Sequence, residues 1–113
     1  MIYLDKNGIT IKASKEAVIG EEYELNGENY KVVDEEILRE MVKNGEDVTK
    51  VVTSRVTYMA DMFYKAESFN QDISSWDVSK IKNMRNMFYD ANSFNQDIGS
   101  WDVSNVTNME RMF

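Results

Sequence analysis

The sequence predicts an α/β solenoid, a stack of short parallel strands and helices with an N-terminal β-hairpin and helix cap. The first observation is a 25-residue segment, Val56–Lys80, that recurs without a gap as Ile81–Asn105 and is identical at 16 of 25 positions. The second is a partial third copy, which starts at Val106 and runs to Phe113. A fixed period of this length is typical of solenoids and related arrays.

The first part of each copy predicts an amphipathic helix. Met59, Met62, Phe63 and Ala66 fall at i, i+3, i+4 and i+7, which places them on one helical face. The same spacing recurs one period later at Met84, Met87, Phe88 and Ala91, and begins again at Met109, Met112 and Phe113.

The second part of each copy predicts a short strand. Ile73, Trp76, Val78 and Ile81 follow the L-x-x-L-x-L spacing of leucine-rich repeats, with other apolar residues in the leucine positions. Strands one period apart would pair in parallel, with the helices on the other side of a shared core.

The N-terminal half predicts two hairpins and one helix. Alternating residues flank Asn-Gly turns in Met1–Ala13 and in Glu21–Val33, and Asn-Gly supplies the positive φ angles of a tight hairpin turn. Asp34 is a suitable N-cap for a helix ending at Lys43, and Asn44-Gly45 is a stop signal.

The same 25-residue spacing relates this helix to the copies. Shifting Met62, Phe63 and Ile73 back by one period gives Ile37, Leu38 and Val48, so residues 31–55 read as a degenerate first repeat. A more charged terminal repeat is the usual cap of an array. We therefore divide the chain into an N-terminal cap, residues 1–55, and a repeat array, residues 56–113.

Composition narrows the classes of function. The net charge is −7, shared between the two parts as −4 and −3, which disfavours nucleic acid and anionic membranes as partners. Cysteine and histidine are absent, so neither disulfides nor His/Cys metal sites can form. We expect no cofactor, no metal and no membrane insertion, and no signal peptide is visible at the N-terminus.

The candidate partner-binding face lies beside the predicted strands. If Trp76 and Val78 point inward, then Asp77 and Ser79 point outward, and Asp102 and Ser104 repeat them one period later. Lys80 and Asn105 would lie at one edge of this face. The competing interpretation is that these Asp and Ser side chains cap turns and satisfy backbone donors.

Other repeated residues have two interpretations each. Trp76, Trp101, Phe69 and Phe94 are either a ligand platform or core, and their regular spacing favours core. The methionines at helical spacing are either an adaptable binding surface or core filling, and core is again favoured. The polar corners Asn70-Gln71-Asp72 and Asn95-Gln96-Asp97 either ligate a cation such as calcium or bond the backbone between copies, and the second is favoured.

The repeat also carries a family resemblance. The pattern MFYxAxSFNQDIxSWDVSxxxxM resembles the 25-residue BspA-like leucine-rich repeat of bacterial surface proteins and mycoplasma lipoproteins. The resemblance covers residues 56–113 strongly and residues 31–55 weakly. It implies a solenoid used for adhesion or protein contact at the cell surface, without shared catalytic residues.

The function expected from these observations is a non-enzymatic scaffold for protein–protein interaction, with adhesion as the form that the resemblance implies. The alternative is an architectural spacer or capping fragment of a longer repeat protein whose activity lies elsewhere; an enzyme using acidic residues is a third, weaker hypothesis. Without a leader the chain alone predicts a cytoplasmic protein. The apolar residues Met109, Met112 and Phe113 predict either further repeats or self-association at this end.

Overall fold

The structure, a computed structural model, describes residues 1–113. It begins with an antiparallel pair, β1 (Ile2–Leu4) and β2 (Ile11–Ala13). The Asn7 side chain holds the connecting loop, since its Oδ1 accepts from the backbone N–H groups of Ile9 at 2.8 Å and Thr10 at 2.9 Å. The first predicted hairpin is confirmed.

The second predicted hairpin is also confirmed. Strands β3 (Glu22–Leu25) and β4 (Glu28–Val32) are joined by Asn26 and Gly27, whose φ angles of 53° and 86° are those of a type I′ turn. A two-residue strand, β5 (Val51–Val52), pairs in parallel with β4, so the second sheet has the order β3-β4-β5.

The single helix, α1 (Glu35–Lys43), connects β4 to β5. Asp34 is its N-cap and accepts a hydrogen bond from the Ile37 N–H at 2.9 Å. Leu38 is fully buried, and the helix is followed by Gly45 at a φ of 68°, as the stop signal predicts.

The predicted α/β solenoid is wrong. The chain forms one helix and two small sheets of two and three strands, in a body measuring 35 × 29 × 23 Å, and is not a stack of strand-and-helix repeats. Residues 56–113 contain no helix and no strand, and their only strand-like pairing is an isolated parallel bridge between Asn83 and Asn108.

The backbone conformation explains the missing helices. Asp61 and Lys65 have φ angles of 62° and 56°, and their counterparts Asn86 and Asp90 are both at 57°. A right-handed helix cannot pass through residues in the left-handed region, so the segment breaks into successive tight turns. These turns keep the apolar side chains on one side, which is why the helical spacing in the sequence misled the prediction.

Backbone hydrogen bonds between copies replace the bonds of the missing helices. Each joins an N–H to the carbonyl oxygen 24 residues later, at 2.7–3.0 Å. We call this set the inter-copy ladder. Its donor–acceptor pairs are Asp61–Arg85, Phe63–Met87, Lys65–Tyr89, Met84–Asn108, Asn86–Glu110 and Phe88–Met112.

A second set of hydrogen bonds runs in the opposite direction, from each later copy back to the earlier one. The indole Nε1 of Trp101 donates to the carbonyl oxygen of Ile73 at 3.1 Å, and that of Trp76 donates to Val48 at 3.0 Å. Val48 belongs to the segment read as a degenerate first repeat. The 25-residue spacing therefore describes contacts of residues 31–55 as well as the two clear copies.

The buried apolar residues form two clusters. The smaller one consists of Ile2, Ile11, Ala17, Val32 and Val52. The larger one extends from Val33 to Met112 and crosses the boundary at residue 55, and the division of the chain at that point stays a prediction. Among its members are the predicted core residues Met59, Phe63, Trp76, Met84, Met87, Phe88 and Trp101.

Aromatic rings line up through the larger cluster. Phe88 stacks on Phe63 and on Phe113, each with ring centroids 5.4 Å apart, and Phe69 and Phe94 form a parallel column at 5.9 Å. Trp76 and Trp101 are buried with Phe63 and Phe88, and Phe69 and Phe94 pack against them partly buried, in line with their interpretation as core.

Replacing Trp76 with alanine should lower the free energy of unfolding by about 3–5 kcal/mol. The side chain is fully buried, and its loss also leaves the Val48 carbonyl without the indole donor. Tyr64→Ala is the matched control: Tyr64 is 44% exposed and stacks on Tyr89, so its loss should cost no more than about 1.5 kcal/mol. Urea titration followed by circular dichroism measures both. Equal losses would contradict the assignment of Trp76 to the core.

Candidate functional site

The first aspartate of the predicted face lies in the interior. Asp77 is only 6% exposed, so the expectation that its side chain points outward is wrong. Its Oδ1 accepts from the N–H and the hydroxyl of Ser79, at 3.1 and 2.6 Å, and its Oδ2 accepts from the Ser54 hydroxyl at 2.8 Å. Asp77 thus fastens the turn of its own copy to the segment that precedes the copies.

The cause of this burial is the first hairpin, which covers the first copy. The Ile11 N–H in β2 donates to the carbonyl oxygen of Ser75 at 2.9 Å, and the Ala13 N–H donates to the Ser54 hydroxyl at 3.0 Å. This contact could not be predicted from the spacing of residues in the sequence, because the hairpin lies more than sixty residues before Ser75.

The later residues of the predicted face remain at the surface. Asp102, Ser104, Lys80 and Asn105 are all exposed, and Ser79 is half-buried. The Asn105 Nδ2 donates to the carbonyl oxygen of Ser79 at 2.6 Å, which joins the two copies along this edge. The structure therefore brings these polar residues together on one surface, with Asp77 beneath it.

The Asp-x-Ser pattern forms the same turn in each copy. The Oδ1 of Asp102 accepts from the Ser104 N–H at 3.0 Å and from its hydroxyl at 2.6 Å, as Asp77 does with Ser79. Asp72 with Ser74 and Asp47 with Thr49 repeat the arrangement. The interpretation that these side chains cap turns is confirmed.

The turn hydrogen bonds also lower the pKa of three aspartates that accept them. The Ser104 hydroxyl and N–H hold the pKa of Asp102 below its usual value, since they stabilise the carboxylate. Ser74 lowers the pKa of Asp72 in the same way, and Thr49 lowers that of Asp47. These three aspartates are therefore anchored as carboxylates at neutral pH.

The polar corners form hydrogen bonds to the backbone of neighbouring copies. This is the interpretation that the sequence favours over cation binding. Gln71 Oε1 accepts from the Val48 N–H at 2.7 Å, and its Nε2 donates to the Glu46 carbonyl at 3.0 Å. One period later, Asn70 Oδ1 accepts from the Asn95 N–H at 2.8 Å. No group of three or more His, Cys, Asp and Glu residues is arranged to hold a metal ion.

A small cleft lies between the first hairpin and the predicted face. It has a volume of about 220 Å³, and its lining includes Asp5, Lys12, Asp77 and Asp102. The Lys12 Nζ lies 3.6 Å from the Asp5 carboxylate. The Asn7 N–H, together with the Lys12 charge, lowers the pKa of Asp5. Sequence reasoning missed Lys12, because only the fold places β2 beside the second copy.

A larger depression, of about 610 Å³, runs beside α1, and none of its lining residues is hydrophobic. Arg39 is one of the lining residues: its Nε donates to Glu35 Oε2 at 2.8 Å, and its Nη2 donates to the carbonyl oxygen of Ala60 at 2.8 Å. Arg39 thereby ties the helix to the first copy. The one helix, α1, has nine residues and is too short and too polar to span a membrane.

Replacing the buried aspartate should destabilise the fold far more than replacing its exposed counterpart. Asp77→Ala leaves the Ser54 and Ser79 hydroxyls without their acceptor in the interior, which should cost about 3 kcal/mol. Asp102→Ala removes the same turn bonds where water can replace them, so the loss should be smaller. Urea midpoints measure both variants, and a larger loss for Asp102→Ala would contradict the assignment.

Acid should weaken the fold through the turn carboxylates. A carboxylate whose pKa is lower in the folded state stabilises the fold above its unfolded pKa of about 4, and this contribution disappears as pH falls through the folded pKa. The free energy of unfolding should therefore drop below about pH 4, and the triple variant Asp47→Asn, Asp72→Asn, Asp102→Asn should show a shallower drop.

The matched control removes three exposed carboxylates that accept no hydrogen bond, in the triple variant Asp61→Asn, Glu67→Gln, Asp90→Asn. It changes the net charge equally but should keep the acid sensitivity of the unchanged protein. Urea titrations at pH 6 and at pH 3 compare the three proteins. Identical slopes for the two triple variants would show that net charge, rather than the turn bonds, sets the pH dependence.

Comparison with known protein families identifies the family of this chain. The model of the family described as "Mycoplasma protein of unknown function, DUF285" matches residues 33–113, from the end of the second hairpin through all copies of the repeat. No curated protein and no solved structure matches the chain. Because the match covers more than half of the chain, the protein belongs to the DUF285 family of mycoplasma proteins, whose function is unknown.

Proposed function

We propose that this protein is a non-enzymatic repeat scaffold for protein–protein contact at the bacterial surface. Two things support the proposal: membership of the mycoplasma family, and the resemblance of its repeat to the BspA-like repeat of bacterial surface proteins. The single structural observation that carries it is the exposed polar edge, formed by Lys80, Asp102, Ser104 and Asn105. We expect the partner that binds this edge to be another protein.

The edge has the properties of a recognition surface. The turn bonds of Ser104 and the contact of Asn105 with Ser79 fix its backbone, so little ordering would be needed on binding. Asp77 acts from beneath as a positioning residue rather than a contact. Exposed Lys80 and Asp102 give this edge one positive and one negative charge, which suits a partner of mixed charge.

The electrostatics of the small cleft favour a binding role over catalysis. A general acid or base works best with a pKa near the working pH. The pKa values of Asp5 and Asp102 are instead lowered, away from neutral pH. The Asp77 carboxylate already accepts three hydrogen bonds. We therefore propose that the protein is not an enzyme.

The second candidate is an architectural spacer within a longer repeat protein. Part of the identity between the copies favours it, because seven of the 16 identical residues are buried in the first copy, among them Trp76, Phe63 and Asp77. If the chain is a spacer, changing residues of the exposed edge should leave the activity of the longer protein unchanged.

Adhesion of protein-coated beads to cultured host cells tests the proposal. Beads carrying the unchanged protein should bind, and beads carrying the double variant Lys80→Ala, Asp102→Asn should bind several-fold less. The asparagine keeps an oxygen to accept the turn bonds, so the fold should be retained.

The control is the double variant Lys15→Ala, Glu16→Gln, which removes the same two charges at exposed residues away from the edge. It should bind like the unchanged protein. Equal binding by both double variants would exclude the edge as the contact surface, and no binding above bare beads by any protein would favour the spacer. Protease treatment of intact producing cells tests location independently: an epitope that survives until lysis contradicts surface exposure.

A further inference from the structure

Asparagine followed by glycine occurs three times in the chain, at Asn7-Gly8, Asn26-Gly27 and Asn44-Gly45. This pair is prone to lose the side-chain amide spontaneously, because the glycine nitrogen can attack the asparagine Cγ and glycine has no Cβ to obstruct the approach. The reaction needs an asparagine side chain that can rotate onto the next nitrogen. It also needs a glycine N–H that is not held in a hydrogen bond. The three pairs differ in both respects.

The fold restrains the first pair at the side chain and at the nitrogen. Asn7 Oδ1 accepts from the N–H groups of Ile9 and Thr10, and its Nδ2 donates to Thr10 Oγ1 at 2.9 Å. The Gly8 N–H donates to the carbonyl oxygen of Asp5 at 2.9 Å. Attack would break all of these hydrogen bonds, so we expect Asn7 to react slowly.

The end of α1 restrains the third pair. The Gly45 N–H donates to the carbonyl oxygen of Val42 at 3.1 Å, and Asn44 is the C-cap whose own N–H donates to the carbonyl oxygen of Glu40 at 3.0 Å. The Asn44 Nδ2 also lies 3.4 Å from Glu40 Oε1. The nitrogen that would attack is therefore held by the helix.

The second pair has neither restraint. Asn26 and Gly27 form the exposed loop between β3 and β4, and neither the Gly27 N–H nor the Asn26 side chain makes a hydrogen bond. A Cβ built on Gly27 would meet no atom within 4 Å, so nothing crowds the approach of the side chain. An amide N–H without a hydrogen bond at the surface is open to solvent base.

We propose that Asn26 is a site of spontaneous deamidation in the folded protein, with water as the co-reactant. The Gly27 nitrogen loses its proton to solvent hydroxide and forms a bond to Asn26 Cγ. The bond from Cγ to the side-chain nitrogen breaks, and that nitrogen takes a proton from water and leaves as ammonia. Water then opens the resulting succinimide ring. Cleavage between Cγ and the Gly27 nitrogen gives aspartate at position 26, and cleavage at the main-chain carbonyl gives isoaspartate.

The two products have different effects on the hairpin. Both add a carboxylate, ionised at neutral pH, beside exposed Glu24 and Glu28. Asn26 has a φ of 53°, which aspartate tolerates as asparagine does, so the aspartate product keeps the turn. Isoaspartate carries the main chain through its side chain and adds one methylene group. A two-residue type I′ turn has no room for it without a shift of β3 along β4.

Tryptic peptides measure the three sites separately. Cleavage after lysine and arginine places the pairs in residues 7–12, 16–31 and 44–50. The protein is incubated in mildly alkaline buffer, and each amide-to-acid conversion is followed by mass spectrometry against a sample taken at the start. Fragment spectra separate Asn26 from Asn29 in the same peptide. Asn26 should convert at least about tenfold faster than Asn7 and Asn44. In guanidinium chloride, which removes the restraints, the three rates should agree within a few-fold.

Two substitutions provide a matched pair of variants. Asn26→Asp should fold normally and lose most of the slow acidic drift of the unchanged protein in isoelectric focusing. Asn7→Asp changes the charge equally at another Asn-Gly pair and keeps an oxygen to accept from Ile9 and Thr10, so it should retain the drift. An unchanged drift in Asn26→Asp would overturn the inference.

Three results of the peptide measurement would also overturn it. One is conversion of Asn7 or Asn44 in the folded protein as fast as that of Asn26. Another is no conversion of Asn26 in the folded protein although it converts in guanidinium chloride, which would mean that the hairpin turn protects it. The third is the same preference for Asn26 in guanidinium chloride, which would assign the difference to neighbouring sequence rather than to the fold.

Discussion

Backbone hydrogen bonds between successive copies are the interaction on which the rest of the structure depends. A tight turn satisfies only some of its own N–H groups, and an unpaired buried N–H is costly. In this chain the remaining donors of one copy reach carbonyls 24 residues later, as Phe63 does with Met87. The packing of Phe63 on Phe88, the buried methionines and the indole bonds all require this alignment of copy on copy.

Residues at positive φ make the alignment possible. Asp61 and Asn86 adopt the left-handed conformation that short polar side chains tolerate better than most, whereas Lys65 adopts it without that advantage. The left-handed residues turn alternate N–H groups out of the local turn and toward the next copy. A helix in the same place would use those donors internally and leave copies joined by side chains alone, as happens where α1 meets the first copy.

The sequence predicts what depends on short-range chemistry and fails where long-range contacts decide. Asn26-Gly27 and Asp34 identify a hairpin turn and a helix start because each acts on its immediate neighbours. The spacing of Met59, Met62 and Phe63 identifies which side chains are buried, but that spacing is the same for a helix and for a run of turns. The repeat is enough to predict the exposed residues of the candidate site. The burial of Asp77 could not be predicted, because it depends on a hairpin that tertiary packing places over it.

The uniform direction of the inter-copy ladder gives the repeats an electrical polarity. Peptide dipoles that point the same way add along a row of hydrogen bonds, as they do in an α-helix, and leave partial charges at the two ends. On this side of the molecule the carbonyl end lies at Ala60, where the positive guanidinium of Arg39 is bound. That residue therefore neutralises the carbonyl pole of the row in the way that a cation does at a helix C-terminus.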